Sequence, residues 1–281
     1  MSDGVSLVAL RCRTSERTAA PPRGVEALAL LLGKRLGREP RLIGSAGEPH
    51  DGNYGDDLRD SRGCLLEAGG QVDDALSAGS VPLLLAGECS IAATTLPTVA
   101  RLRPETKILW LDAHGDFNTP DTTTSAYLGG MALSAACGLW DAGLTSDSVA
   151  TDKIVLTGVR DLDGDERIAL ERSDVTVIGA SPVETLVAVK NALDGAPVYV
   201  HLDLDVLDPE IFPARFPAPG GFAPEKLFDL LEAVVEDCEL VGVEVTSFEA
   251  PDDREECQAA ASIAMHALEP LLDRLPAFAS E

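Results

Sequence analysis

Leu109-Trp110-Leu111-Asp112-Ala113-His114-Gly115-Asp116-Phe117-Asn118 is an apolar run that breaks into alternating metal-ligand residue types. A short apolar stretch ending so sharply reads as a buried strand with polar side chains at its carboxyl end. In extended backbone, side chains at i, i+2 and i+4 project to one face. Asp112, His114 and Asp116 therefore form a row that a cation can collect. Taken alone, the triplet reads equally well as a polar strand end hydrogen-bonded to a loop. The rest of the chain has to decide.

The same shape recurs along the sequence. Apolar strand candidates lie at Val5–Leu10, Arg41–Ile43, Val81–Ala86, Lys107–Leu111, Lys153–Val159, Val175–Ile178, Pro197–Leu202 and Glu239–Val245. Helical periodicity falls between them, at Gly24–Leu36, Leu58–Ser77, Ile91–Leu102, Met131–Leu139, Val183–Leu193, Pro224–Val235 and Arg254–Leu272. The strands are apolar throughout rather than alternating, as in sheets covered on both faces. About eight strands alternating with helices, without a linker or a repeat, predict one α/β domain over 1–281 with a mostly parallel sheet.

Composition narrows the partners. With 47 acidic against 22 basic residues the net charge is −25, which repels phosphate backbones and anionic membranes and favours cationic small molecules and metal ions. Nucleic acid and membrane are therefore not expected as partners. The six cysteines contain no CxxC pair, so the chain is expected to be reduced and cytoplasmic. No basic segment followed by an apolar one opens the sequence, and no apolar run approaches about 18 residues.

In open parallel sheets, ligands bind beyond the carboxyl ends of the strands. Cys89, Asp112, His114, Asp116, Asp163, Asp203 and Asp205 all sit at such ends. Carboxylates gathered beside one imidazole and one thiol would repel one another unless a cation neutralised them. An oxygen-rich set with one histidine suits Mn²⁺ better than structural zinc, and carboxylates that can bridge suggest two ions sharing an acidified water. Hydrolysis is the implied chemistry.

From about Val81 to Pro251 the chain resembles the ureohydrolase family, the arginases, agmatinases and their relatives. Ala86-Gly87-Glu88-Cys89-Ser90, Asp112-Ala113-His114-Gly115-Asp116 and Asp203-Leu204-Asp205 match the family's three metal motifs. The resemblance implies a three-layer αβα, arginase-like fold, two manganese ions on Cys89, Asp112, His114, Asp116, Asp203 and Asp205, and hydrolysis of a guanidino group. Asp116 would be catalytic as well as a ligand. The family also suggests association of subunits into a homo-oligomer.

Three departures stand out. Cys89 occupies a position where the family places a histidine, and a thiolate is a soft ligand for a hard ion. Gly129 falls where arginases carry a histidine thought to shuttle protons. The glutamate facing the guanidino group is matched by Ser247 without a gap or by Glu249 after a two-residue shift. The Thr-rich loop looks like the arginase loop that holds an α-carboxylate, which assigns Asn118, Thr123 and Ser125 to the carboxylate and Asp163 with Glu166 to the α-amino group. Cys89 together with Gly129 is similar to the branch that hydrolyses Nω-hydroxy-L-arginine, so a small guanidino amino acid is the expected substrate.

Two other readings remain open. Gly87-Glu88-Cys89-Ser90 between strand and helix has the form of a nucleophile elbow, which would make Cys89 an attacking thiolate on an amidine carbon. The departures are also compatible with a metal-poor relative that binds without catalysis. Trp110 and Trp140 read as packing, His50 as a loop residue and His266 as a helix-face residue. Glu244 reads as a supporting or a surface acid. His201 shares a face with Asp203 and has an open supporting role.

Overall fold

A computed structural model describes residues 4–180 and 184–276. Eight strands, β1 (Val5–Leu10), β2 (Arg41–Ile43), β3 (Val81–Leu85), β4 (Lys107–Leu111), β5 (Ile154–Val159), β6 (Thr176–Gly179), β7 (Val198–Asp203) and β8 (Leu240–Thr246), form one sheet in the order β2-β1-β3-β8-β7-β4-β5-β6. Every pairing is parallel, where the sequence predicted only mostly parallel.

Alternation along the strands feeds two cores. Leu7, Ala9, Leu83, Leu85, Leu109 and Leu111 point to one side, against helices α1 (Ala20–Leu36), α6 (Thr185–Leu193), α7 (Pro224–Asp237) and α8 (Arg254–Arg274). Val8, Leu10, Leu84, Ile108 and Trp110 point to the other, against α2 (Tyr54–Ser77), α3 (Ala92–Leu102), α4 (Ala132–Ala136) and α5 (Gly164–Arg172). Both faces of the sheet are covered. That is why the central strands carry no polar alternation.

The edge strands differ: β2 and most of β6 are exposed, which explains their weak sequence signal. The helix expected over Met131–Leu139 is shorter, a 3-10 turn at Gly129–Met131 running into α4. The start expected for α6, at Val183, lies outside the described residues.

One expectation is corrected. Cys12 and Cys64 are joined as a disulfide with Cα atoms 6.3 Å apart, tying the segment after β1 to α2. They are 52 residues apart in sequence and only the packing of α2 brings them together, so no short spacing could reveal the pair. No described helix is long and apolar enough to cross a membrane.

The central strands β3-β8-β7-β4 present adjacent carboxyl ends on one edge of the sheet. Beyond β8 the chain turns sharply, with Ser247 at φ 62°, a left-handed conformation rare for a residue with a Cβ. Helix α1 packs directly on this turn at Gly24, where a Cβ would come within 2.2 Å of the Phe248 carbonyl oxygen. Gly24→Ala therefore has to push α1 off the segment bearing Ser247 and Glu249. We expect it to lose roughly 1–3 kcal/mol of stability, read as a lowered Tm, and to lower activity through that displaced turn.

Candidate metal centre

Four strand ends converge on one cavity of about 440 Å³. β3 delivers Glu88 and Cys89, β4 delivers His114, Asp116 and Asn118, β7 delivers Asp203 and Asp205, and β8 delivers Ser247 and Glu249. Asp161, Asp163 and Glu166, after β5, complete one wall. The volume is ordinary for a small-molecule site.

Asp116, Asp203 and Asp205 are buried in its floor and Asp112 is buried beside them, with Cys89 only 2% exposed. Asp112, Asp203 and Asp205 are held by short-range partners. Asp112 accepts from the Trp110 indole N–H at 3.0 Å and from the His114 backbone at 2.7 Å. Trp110 thus does more than pack. Asp205 accepts from Ala113 N at 3.1 Å and donates its own amide to Asp203. Asp203 Oδ2 receives the Cys89 thiol at 2.9 Å and the Ser247 hydroxyl at 2.6 Å. Among the described residues no side chain donates to the Asp116 carboxyl, whose backbone sits at φ 48°.

Two groups have ligand atoms within 4.8 Å of one another: Asp112, His114 and Asp205, and, deeper, Cys89, Asp112 and His201. Asp112 belongs to both. Of the six residues expected from the sequence to hold metal, Asp112, His114, Asp205 and Cys89 fall in these groups, whereas Asp116 and Asp203 line the same cavity without belonging to either. That expectation did not include His201 as a donor.

The electrostatics show why a cation fits. Burial raises the Asp116 carboxyl well above its usual range, reinforced by the charge on Asp112. Asp203 is pushed up to about 7 by burial and the neighbouring Asp205 charge, and Asp205 is raised by burial and Asp112. Burial also drives the Cys89 thiol well above its usual value. For His114, burial works against the proton, but hydrogen bonds to Asp112 and Asp205 outweigh it and lift the imidazole to about 12. Arg160 places a guanidinium behind the site, where burial lowers its pKa, but its N–H groups are spent on the carbonyls of Gly158, Asp205, Val206, Leu207 and Ala218. Four acids and a thiol face one imidazole. A divalent ion, or two, is the charge this donor set lacks.

The substrate-loop expectations separate. Asn118 and Ser125 line the cavity, whereas Thr123 does not, its hydroxyl accepting the Ala126 amide instead. Asn118 donates to Asp163 and accepts from Thr122. Glu166 is raised to about 7 by burial and accepts the amides of Phe117 and Asp163, so it braces the loop around Asp116. Ser247 and Glu249 both reach the cavity: Ser247 is committed to Asp203, while Glu249 turns toward Thr18 at 3.0 Å.

Other lining residues escaped the sequence reading: Arg17, Glu88, Tyr127, Gly130, Arg215 and Phe216. Arg17 lies over the Tyr127 ring at 5.1 Å, and Phe216 meets His114 edge-on at 6.2 Å. Arg17 follows the end of β1, so the strand-end rule could have found it. Phe216 and Arg215 lie in a Pro/Gly-rich loop without such a signal.

The Arginase family model matches residues 50–269. The chain is 34% identical over 269 residues to the N(omega)-hydroxy-L-arginine amidinohydrolase of Streptomyces lavendulae, covering 96% of this chain and 97% of that one. It is 35% identical over 181 residues to the arginase of Bacillus caldovelox, covering 59% and 60%. In structure, the Bacillus subtilis arginase superimposes with a TM-score of 0.82 at 22% identity over 96% of this chain and 98% of that one. The proclavaminate amidino hydrolase of Streptomyces clavuligerus gives 0.71 at 20% identity over 96% and 91%.

The buried acids set the pH behaviour of the metal-free protein. Asp203 moves from 3.8 to about 7 and Glu166 from 4.5 to about 7, so the folded state holds these protons more tightly than the unfolded chain. Stability is then full below the unfolded values and falls as pH rises through about 4 to 7, by up to roughly 4 kcal/mol for Asp203 alone. With chelator present, Tm should drop across that window. Added Mn²⁺ should remove the drop, and Asp203→Asn should flatten it without metal.

Proposed function

This chain belongs to the arginase family of hydrolases, and on that premise we propose that it is a manganese-dependent amidinohydrolase of a small guanidino amino acid, Nω-hydroxy-L-arginine before L-arginine. The observation that carries the substrate choice is whole-length similarity to the hydroxyarginine enzyme, joined to a cavity in which Cys89 and Gly129 stand at the positions of two family histidines. The products would be ornithine and hydroxyurea.

The charge layout supports an amino-acid substrate. The floor is acidic and buried, while the cations lining the cavity among the described residues, His114 apart, are Arg17 and the exposed Arg215. A zwitterion with a guanidino tail would enter tail first, its carboxylate held near those arginines and the Asn118 and Ser125 side chains. Asp161 and Asp163 lie on the wall where an α-amino group would meet negative charge.

Asp112, His114 and Asp205, together with Cys89, Asp116 and Asp203 in the same floor, would hold two divalent ions. When bound, they supply Lewis-acid polarisation and a nucleophile at neutral pH. The protein's own groups do the rest. Glu249 faces the tail and fixes its orientation. Ser247 holds Asp203 in place rather than touching substrate. Asp116, with no side-chain donor of its own, accepts the proton lost by the attacking water and returns it to the departing nitrogen as the C–N bond breaks. A hydroxyguanidine is a weaker base than a guanidine, so its neutral form is more accessible near neutral pH. That removes the need for an imidazole where Gly129 stands.

A cysteine-nucleophile reading has one geometric argument, the line Cys89 Sγ to His201 Nε2 at 3.2 Å and His201 Nδ1 to Glu244 at 2.6 Å. Burial and the charges of Asp203, Asp116 and Asp112 oppose it, because they keep the thiol protonated. A non-catalytic role would leave the buried acids without a purpose.

With Mn²⁺, kcat/KM for hydroxyarginine should exceed that for arginine by about tenfold or more. The reverse order would overturn the substrate assignment. Glu249→Gln should lower kcat/KM roughly tenfold to hundredfold, and Arg17→Ala should raise KM with kcat little changed. Chelation should abolish turnover, and recovery of activity with metal content near zero would favour the thiol nucleophile.

A further inference from the structure

The strand register places three unusual residues side by side beneath the acidic floor. Trp110 on β4 pairs with His201 on β7, and His201 pairs with Glu244 on β8. His201 and Glu244 have no exposed surface at all. The imidazole stacks on the Trp110 ring with centroids 3.6 Å apart and planes 10° from parallel. Its Nδ1 meets Glu244 Oε1 at 2.6 Å, and the other Glu244 oxygen receives the Tyr199 hydroxyl at 3.0 Å. Tyr199 reaches it because Gly242 leaves room: a Cβ there would lie 2.6 Å from the Tyr199 ring. A buried polar row of this kind is costly unless its members are hydrogen-bonded, as these are.

The row aims one atom at the cavity. Glu244 lies against Nδ1, the arrangement in which a carboxylate on the far nitrogen supports a ligating histidine and the metal is taken at Nε2. Nε2 lies 3.2 Å from Cys89 Sγ, and Cys89, Asp112 and His201 have ligand atoms within 4.8 Å. One ion at about 2.3 Å from sulfur and about 2.0 Å from nitrogen spans such a pair, since tetrahedral ligand atoms then lie roughly 3.5 Å apart.

We infer that His201 is a direct ligand of the deeper ion, which sits on Cys89 thiolate, His201 imidazole and Asp112 carboxylate, so that the centre has two unlike halves. The outer half, Asp112, His114 and Asp205, is oxygen-rich and suits Mn²⁺. The inner half offers sulfur and nitrogen and takes a softer dication of the zinc type. This deepens the dinuclear reading above and rests on it. It also assigns a partner to the odd thiol: the nitrogen absent at position 89 is supplied from the next strand but one.

Cobalt tests it, because Co²⁺ substitutes for zinc and reports its ligands. The full-length protein, stripped of metal, is titrated with Co²⁺. The first equivalent should produce a thiolate-to-cobalt charge-transfer band in the near ultraviolet. It should also produce a hyperfine-shifted proton resonance that exchanges slowly with deuterium oxide, from the Nδ1–H held on buried Glu244. His201→Gln should remove that resonance and keep the band, and Cys89→Ser should do the opposite, with circular dichroism confirming that both variants fold. A band without the slow resonance in the unmodified protein overturns the inference, since His201 would then only orient the thiol. Bound cobalt with neither signal also overturns it while leaving the dinuclear reading intact. Failure to bind cobalt at all overturns both.

Discussion

Four buried carboxyl groups and a buried thiol gathered at adjacent strand ends are the constraint around which this protein is built. Isolated charges in such a place cost several kcal/mol each, so the surroundings are arranged to hold them at fixed points. Backbone amides of His114, Ala113 and Asp205 supply donors where the strands end. Side chains of Trp110, Cys89 and Ser247 supply the others. Two of the left-handed non-glycine residues, Asp116 and Ser247, fall within this floor, where the chain must turn abruptly to present a side chain. Strain is tolerated here because the sheet beneath is rigid.

Arg160 illustrates how far the arrangement extends. It sits beside the acids yet does not neutralise them through an ion pair. It donates instead to five backbone carbonyls of β5, the Asp205 turn and the 206–218 stretch. A planar guanidinium with five N–H groups can serve several acceptors at once, which a lysine cannot. The loop that carries Asp205 is thereby fastened to the strand end next door.

Much of this was legible in the residues themselves. The apolar runs before Asp112-Ala113-His114-Gly115-Asp116 and Asp203-Leu204-Asp205 identified the strands, but the acids beyond them reach the cavity through turns, Asp116 in a left-handed conformation and Asp205 in a 3-10 turn, rather than by strand alternation. What could not be read was anything that depends on register between strands. His201 and Glu244 are distant in sequence and become neighbours only because β7 and β8 pair as they do. The Cys12–Cys64 link has the same character. Thr123 fails for a local reason: a hydroxyl in a tight loop prefers the nearby Ala126 amide to the cavity. Ser247 and Glu249, between which spacing alone could not choose, both reach the site, with different partners.

The strand order β3-β8-β7-β4 also governs when the centre can exist during folding. Cys89 meets Asp203 across 114 residues and Thr246 across 157, and β3 pairs with the last strand of the chain. Closing loops of that length and pairing strands in parallel are slow steps with little early reward. The donors are scattered in the unfolded chain and reach one another only when β8 has docked between β3 and β7. Ions bound there would therefore not nucleate this fold. They would act afterwards, lowering the free energy of a sheet that is already complete and slowing its unfolding rather than speeding its formation.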